Sequence, residues 1–384
     1  MNKNKYVIVG ESDSRRVQLF KDAVVERGED EPRVVSFLDL ISGTKRLESV
    51  IESGDVVRIE SPGKDFEVER ALLRLGIQSG SLTHQELESL CFDRGLILPQ
   101  SQWYRGWCSV LGTISEQLRK SRPHILMNSP EEIAILFDKQ KCQEMLVSQG
   151  VRMPAALGVA SDFDNLLELM NEHNCKRVFL KPAHGSSASG IVAYEFSGDK
   201  HKAISTVELV DSDGRLKLYN SRKVRSYSSY EQVKTLVDAL CAHNVFVQKW
   251  YPKANIGGKV FDLRVVVVNG KSRHVVVRES KTPFTNLHLL NARGQLSVVQ
   301  DALGADRCAA VLATAEKAAH VFPNCLYVGV DVLISSDFRN HAVAEVNAFG
   351  DLLPGVLCDG ISTYAAELNA VNDFGAKLSG AIYV

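Results

Sequence analysis

The sequence predicts an α/β unit over its first third and an antiparallel α+β fold over the remainder. Three observations carry this. Strand and helix signals alternate up to about residue 125, β-rich runs come in turn-linked pairs from Lys176 onward, and 384 residues suffice for two or three cores. Hydrophobic residues make up 45% and charged residues 24%, the balance of a globular protein. A formal net charge of −1 supplies neither the basic field of a nucleic-acid binder nor the acidic excess of a disordered chain.

In the first third, KYVIVG (5–10) reads as a strand and Ser14 to Gly28 as a helix closed by glycine. Arg33–Phe37 and Asp55–Ile59 read as further strands. A dinucleotide fingerprint is missing, because Gly10 stands alone where GxGxxG would be required. Trp103, Tyr104, Arg105 and Trp107 crowd one segment; core packing is the favoured reading and a substrate pocket the alternative. RPHILMNSPEEIAILFDKQ (122–140) opens as a strand, then Ser129 caps a helix with Pro130 at its first position.

Behind a boundary near 125 the pairs follow in order. KRVFLKP (176–182) returns as IVAYEF (191–196) across the loop HGSSASG. VELVDSDGRLKLYN (207–220) turns at Asp213-Gly214, and LRVVVVNGKSRHVVVR (263–278) turns at Asn269-Gly270. YVGVDVLI (327–334) and HAVAEVNA (341–348) make the last pair.

The apolar run in MNKNKYVIVG is too short for a signal core, and no later stretch reaches the ~18 apolar residues of a membrane span. Cysteines 91, 108, 142, 175, 241, 308, 325 and 358 are scattered without metal-ligand spacing, as in a cytoplasmic protein with reduced thiols.

Chemistry concentrates on the last strand pair. Glu345 and Asn347 share one strand face, and a hairpin centred on Phe338 sets Asp331 across from Glu345. Two carboxylates and an amide oxygen form a hard-oxygen site suited to Mg²⁺; a solvated cross-strand polar pair is the alternative. Lys181 in the apolar run VFLKP calls for an anion, and the following loop (Gly185, Ser186, Ser187, Ser189, Gly190) offers backbone N–H groups to phosphate. Lys139 follows the capped helix start, where a solvated lysine is equally expected. Arg264 and Arg278 lie across the Asn-Gly turn, with Asp262 on the face of Arg264, as phosphate-neutralising cations or as a strand salt bridge.

Taken in order, these segments resemble the ATP-grasp superfamily, from about Asn128 to Pro354. The carrying motifs are DK (138–139), GVRMP (150–154), FLKP with its Gly/Ser loop (179–190), VQKWYP (247–252), FDLRVVVVNG (261–270), VGVDVL (328–333) and AEVNAFGDLLPG (344–355). The resemblance implies an α/β pre-ATP-grasp domain (1–125) ahead of a two-lobed α+β ATP-grasp fold, its lobes at 126–246 and 247–384. It also implies ATP and Mg²⁺ (or Mn²⁺) as cofactors. Lys139 and Lys181 are then the lysines on the α- and β-phosphates, and residues 185–190 the loop closing over the triphosphate. Gln248, Lys249, Trp250 and Tyr251 are the hinge that meets adenine, with Gln248 where many relatives carry glutamate. Arg264 and Arg278 are transition-state cations, and Asp331, Glu345 and Asn347 the magnesium ligands. TNLHLLNARG (285–294) is similar to an Asn-x-His-x-Gly-Gly loop, with Leu289-Leu290 in place of the glycines.

The implied activity is a carboxylate–amine ligase forming an amide through an acyl phosphate, with small-molecule or peptide substrates. No nucleic-acid or membrane partner is expected, and a homodimer is one assembly the reading allows. A small-molecule kinase and a nucleotide-binding regulator without turnover are the competing readings. In the first third, Ser12, Ser14, Arg15, Arg16, Arg58, Ser61 and Gly63 sit at strand ends where an anion could dock or where a turn is merely structural. The layout also resembles a bacterial ATP-grasp group sharing the RIESPG and GDLLPG patterns.

Overall fold

Three sheets succeed one another along the chain in the computed structural model, which describes residues 4–63, 65–79, 81–185, 188–212 and 214–381. The first contains β1 (Tyr6–Val9), β2 (Arg33–Val35), β3 (Val56–Ile59) and β4 (Ile125–Leu126), all parallel, in the order β2-β1-β3-β4. β1 and β3 are buried along their whole length, as strands covered on both faces must be. Ser14 caps the helix Arg15–Glu26, which buries Val17, Phe20 and Val24, and Gly28 follows at φ 76°. β2 stops two residues earlier than expected, because Ser36 accepts a hydrogen bond from the Asp39 amide and starts a helix at Phe37. Trp107 is fully buried against Phe37 and Phe137 on the helix Gln100–Lys120. Within the Trp103–Trp107 cluster, Tyr104 and Trp107 are therefore core, Trp103 packs partly buried against them, and Arg105 is exposed.

The second sheet is antiparallel throughout. It comprises β5 (Ala156–Ala160), β6 (Arg177–Pro182), β7 (Val192–Ser197), β8 (Lys200–Ser212), β9 (Arg215–Tyr227) and β10 (Val245–Lys249), in the order β5-β10-β6-β7-β8-β9. Asp213, placed at the β8–β9 turn, lies outside the described residues. The helix capped by Ser129 ends at Leu136, and Asp138 caps a second one, Lys139–Ser148, so Lys139 opens a helix of its own.

The third sheet holds β11 (Asn255–Ile256), β12 (Lys259–Val268), β13 (Lys271–Ser280), β14 (Ala292–Gly294), β15 (Tyr327–Ile334) and β16 (His341–Asn347). Its order is β14-β13-β12-β15-β16, with β11 on β12. Asn269 and Gly270 both have positive φ, the backbone of a tight Asn-Gly hairpin turn. Val328, Val330 and Val332 join the core that also takes in the helix Ala305–His320, so the alternating residues Gly329 and Asp331 face the other way. No described helix is long and apolar enough to cross a membrane.

Candidate functional site

The register of β12, β15 and β16 assembles the site. Asp331 pairs with Glu345 on one side and Arg264 on the other, and Gly329 pairs with Asn347. A bulge between Asp331 and Val332 shifts the ladder beyond the carboxylate pair. Asp331 is the most engaged carboxylate. Arg264 forks onto it, Nε to Oδ1 at 2.5 Å and Nη2 to Oδ2 at 3.0 Å, and Arg278 Nη2 lies 3.1 Å from Oδ2.

Asp262 has a different partner from the one its strand face suggested. It pairs across the ladder with Arg278, whose Nε donates to Oδ1 at 2.6 Å, while Arg264 goes to Asp331. Lys253, which the sequence reading passed over, lies 3.4 Å from Asp262 and donates to Thr285 Oγ1 at 2.8 Å. No local pattern marks it, since its partners are 9 and 32 residues away.

Glu345 stands apart. Among the described residues no hydrogen bond or ion pair engages its carboxylate, and it borders a cleft with Lys139, Lys181 and Asn347. Burial alone would raise its pKa, but Lys139, Lys181, Arg264 and Arg278 outweigh burial and hold it at about 2. Lys181 moves the opposite way: burial, reinforced by Lys139 and Lys253 and opposed by Glu345, brings it down to about 8. Lys181 Nζ donates to Gln248 Oε1 at 2.9 Å, and Lys139 Nζ donates to the Gly185 carbonyl.

The loop after β6 needs its second glycine. Gly190 has φ 73°, and a Cβ there would meet Pro182 Cγ at 2.7 Å. Ser186 and Ser187 lie outside the described residues, while Ser189 is partly exposed and the Ala188 carbonyl accepts from Thr206. In the 248–251 segment, Gln248 is buried in the cleft and Lys249 is exposed. Trp250 lies between Phe179 at 5.0 Å and the Arg177 guanidinium at 4.2 Å, and Tyr251 is half-buried.

Several first-third candidates are committed elsewhere. Arg58 is fully buried and donates to Glu60, Asp351 and Glu367 at 2.5–2.6 Å, so its charge is committed to three carboxylates rather than open to a substrate anion. Arg16 binds Asp351 at 2.6 Å and the Phe349 carbonyl, and Ser14 is the helix cap.

Among the described residues no group of three His, Cys, Asp or Glu side chains converges, so a cation would rest on two carboxylates and an amide. The donor set fits. Glu345 is ionised and unengaged, and Asn347 Nδ2 donates to Gly329 O at 3.3 Å, which leaves its Oδ1 free. Asp331 keeps about one of a carboxylate's roughly four acceptor positions after its arginine contacts.

Residues 134–282 match the family described as YheC/D-like ATP-grasp. Among solved structures, the chain superposes on the D-cycloserine synthetase DcsG with a TM-score of 0.56 at 14% identity, covering 97% of this chain and 100% of that one. The ATP-grasp ligase PsnB complexed with minimal precursor, Mg and ADP gives 0.53 at 15% identity, over 97% and 98% of the two chains. The D-alanine–D-alanine ligase of Bacillus anthracis complexed with ATP gives 0.53 at 12% identity, over 99% of each. Among curated proteins none matches by sequence. The chain has the ATP-grasp fold.

Proposed function

We propose that the chain, whose residues 134–282 match the YheC/D-like ATP-grasp family, is an ATP- and magnesium-dependent ligase that joins a carboxylate to an amine. One observation carries the reading: Lys139, Lys181, Arg264 and Arg278 all act on the unengaged Glu345 carboxylate at the cleft between the second and third sheets. Such a surplus of cations around an oxygen-rich face suits a polyphosphate with its metal ion. The similar structures include an ATP-grasp ligase complexed with Mg and ADP and a D-alanine–D-alanine ligase complexed with ATP, which supports the same chemistry.

In this reading Lys139 and Lys181 bind the α- and β-phosphates, and the loop 185–190 closes over the triphosphate. Backbone groups of Gln248–Tyr251 meet the base. Glu345 and Asn347, with Asp331 beside them, would hold magnesium, which would supply neutralisation of phosphate charge. Arg264 and Arg278 stand at the transferring phosphoryl group, fixed in orientation by Asp331 and Asp262. The acid is activated as an acyl phosphate, which the amine attacks with release of phosphate, and closure keeps water out. The parallel sheet of residues 1–125 acts as the substrate-side domain, and the lobes divide near 246. PsnB and MdnC were solved with precursor peptides, which favours a peptide as one substrate.

The test is ADP release during a screen of paired acids and amines, peptides included. ADP formation that needs both partners, and falls about 100-fold or more in a folded Glu345→Gln variant, is expected. A phosphorylated acceptor accumulating without an amine would show a kinase instead.

A further inference from the structure

Lys181 is the end of a chain of side-chain amides that leads away from the cleft. Its ammonium donates to Gln248 Oε1 at 2.9 Å; Gln248 Nε2 donates to Gln143 Oε1 at 2.7 Å; Gln143 Nε2 donates to the Pro154 carbonyl at 2.9 Å. The ends fix the direction of the whole chain. An ammonium only donates and a backbone carbonyl only accepts, so each amide between them has one orientation that satisfies every link. Gln143 is 4% exposed and Gln248 3%, so these links are shielded from bulk water.

We propose that Gln143 is a positioning residue for Lys181: anchored by Pro154, it locks the Gln248 amide with its oxygen toward the cleft. The proposal deepens the nucleotide reading above and rests on it for the ligand. Without Gln143, the Gln248 side chain is free to rotate and turn its NH₂ group onto the ammonium. With it, the Lys181 ammonium has one neutral acceptor, its single hydrogen bond among the described residues, and two protons remain for a phosphate. The helix Lys139–Ser148 carries Lys139 and Gln143 four residues apart on one face, so one element delivers a cation to the cleft and aligns a second.

Position 248 supplies a sharp test. A carboxylate there offers Lys181 an acceptor oxygen in either orientation and cannot donate to Gln143 Oε1, so Gln143 no longer orients it and becomes dispensable in a Gln248→Glu background. Calorimetric titration with Mg-ATP is expected to show Gln143→Leu weakening affinity about tenfold in the native background and less than about twofold alongside Gln248→Glu. Gln143→Met, of similar volume, should behave as Gln143→Leu does and thereby separates the lost hydrogen bond from lost packing. Equal losses in both backgrounds, or none in either, would overturn the proposal.

A readout independent of nucleotide keeps the two readings apart. Acetylation of Lys181 by acetic anhydride near neutral pH, followed by mass spectrometry, is expected to rise several-fold in Gln143→Leu, because an ammonium facing N–H groups gives up its proton more readily. The rise should vanish alongside Gln248→Glu. If the native chain takes up no Mg-ATP, the ligase reading fails and this labelling alone decides the relay; an unchanged rate overturns it.

Discussion

Lys181 is the residue whose charge state is most exposed to test. Burial, followed by Lys139 and Lys253, lowers it to about 8, so a growing fraction of the folded protein lacks this charge as pH rises through that value. Mg-ATP affinity should therefore hold from about pH 6.5 to about 7.5 and decline above about 8, with the Lys181→Ala variant weaker throughout and flatter with pH. Stability runs the other way. Between about 8 and the unperturbed 10.5 the unfolded chain binds more protons than the folded one, so the cost of burying this group shrinks and stability rises as pH climbs through that window. Titrations in buffers of matched ionic strength check the first statement, and urea unfolding checks the second. Glu345 titrates elsewhere: the four cations hold it at about 2, so its contribution is present above 4.5 and is lost as pH falls toward 2.

The β15–β16 hairpin was legible in the sequence because period-two spacing and a short turn fix register: Asp331 does stand opposite Glu345. The exchange of partners between Asp262 and Arg264 was not legible. Which carboxylate an arginine reaches depends on which strand lies beside it, and β12 lies between β13 and β15. The early end of β2 reflects a cap at Ser36, a local signal that the apolar run Arg33–Phe37 hid. Two glycines also acquire meaning only in three dimensions. Gly329 of β15 and Gly350 of the following loop cross so closely that a Cβ on Gly350 would lie 2.4 Å from the Gly329 Cα and 3.2 Å from Arg264 Nη1. Gly350→Ala should therefore cost about 1–3 kcal/mol or more and displace Arg264. Chemical unfolding checks the first effect and loss of ADP release the second; a fully stable and active variant would remove this crossing from the account.

Across the whole molecule, the motifs RIESPG and GDLLPG meet. Arg58 and Glu60 of the first sheet, with Arg16, enclose Asp351, and Glu367 of the helix Thr363–Ala381 completes the cluster beneath Phe20, Tyr327 and Tyr364. The loop that carries Asp351 also offers the Gly350 carbonyl to Arg264 at 3.4 Å, so the network joins the first third to the site. Burial, with Asp351 and Glu60 nearby, pushes Glu367 well above the carboxylate range despite Arg58. Stability from this group therefore declines as pH climbs past about 4.5. Arg58→Gln leaves buried carboxylates without their cation and should cost about 3–5 kcal/mol by urea unfolding. A change under about 0.5 kcal/mol would mean the network does not hold the units together. Asp351 and Glu367, 293 and 309 residues from Arg58, could not be paired with it from sequence.

Binding of nucleotide is the central claim, and thermal unfolding of the purified chain with ATP, with and without Mg²⁺, measures it most directly. Ligand at about 100 times its Kd adds about 2.7 kcal/mol to the folded state, so a clear rise in Tm that needs both ATP and Mg²⁺ is the predicted result. An unchanged Tm with ATP, ADP and Mg²⁺ in every combination would contradict the account.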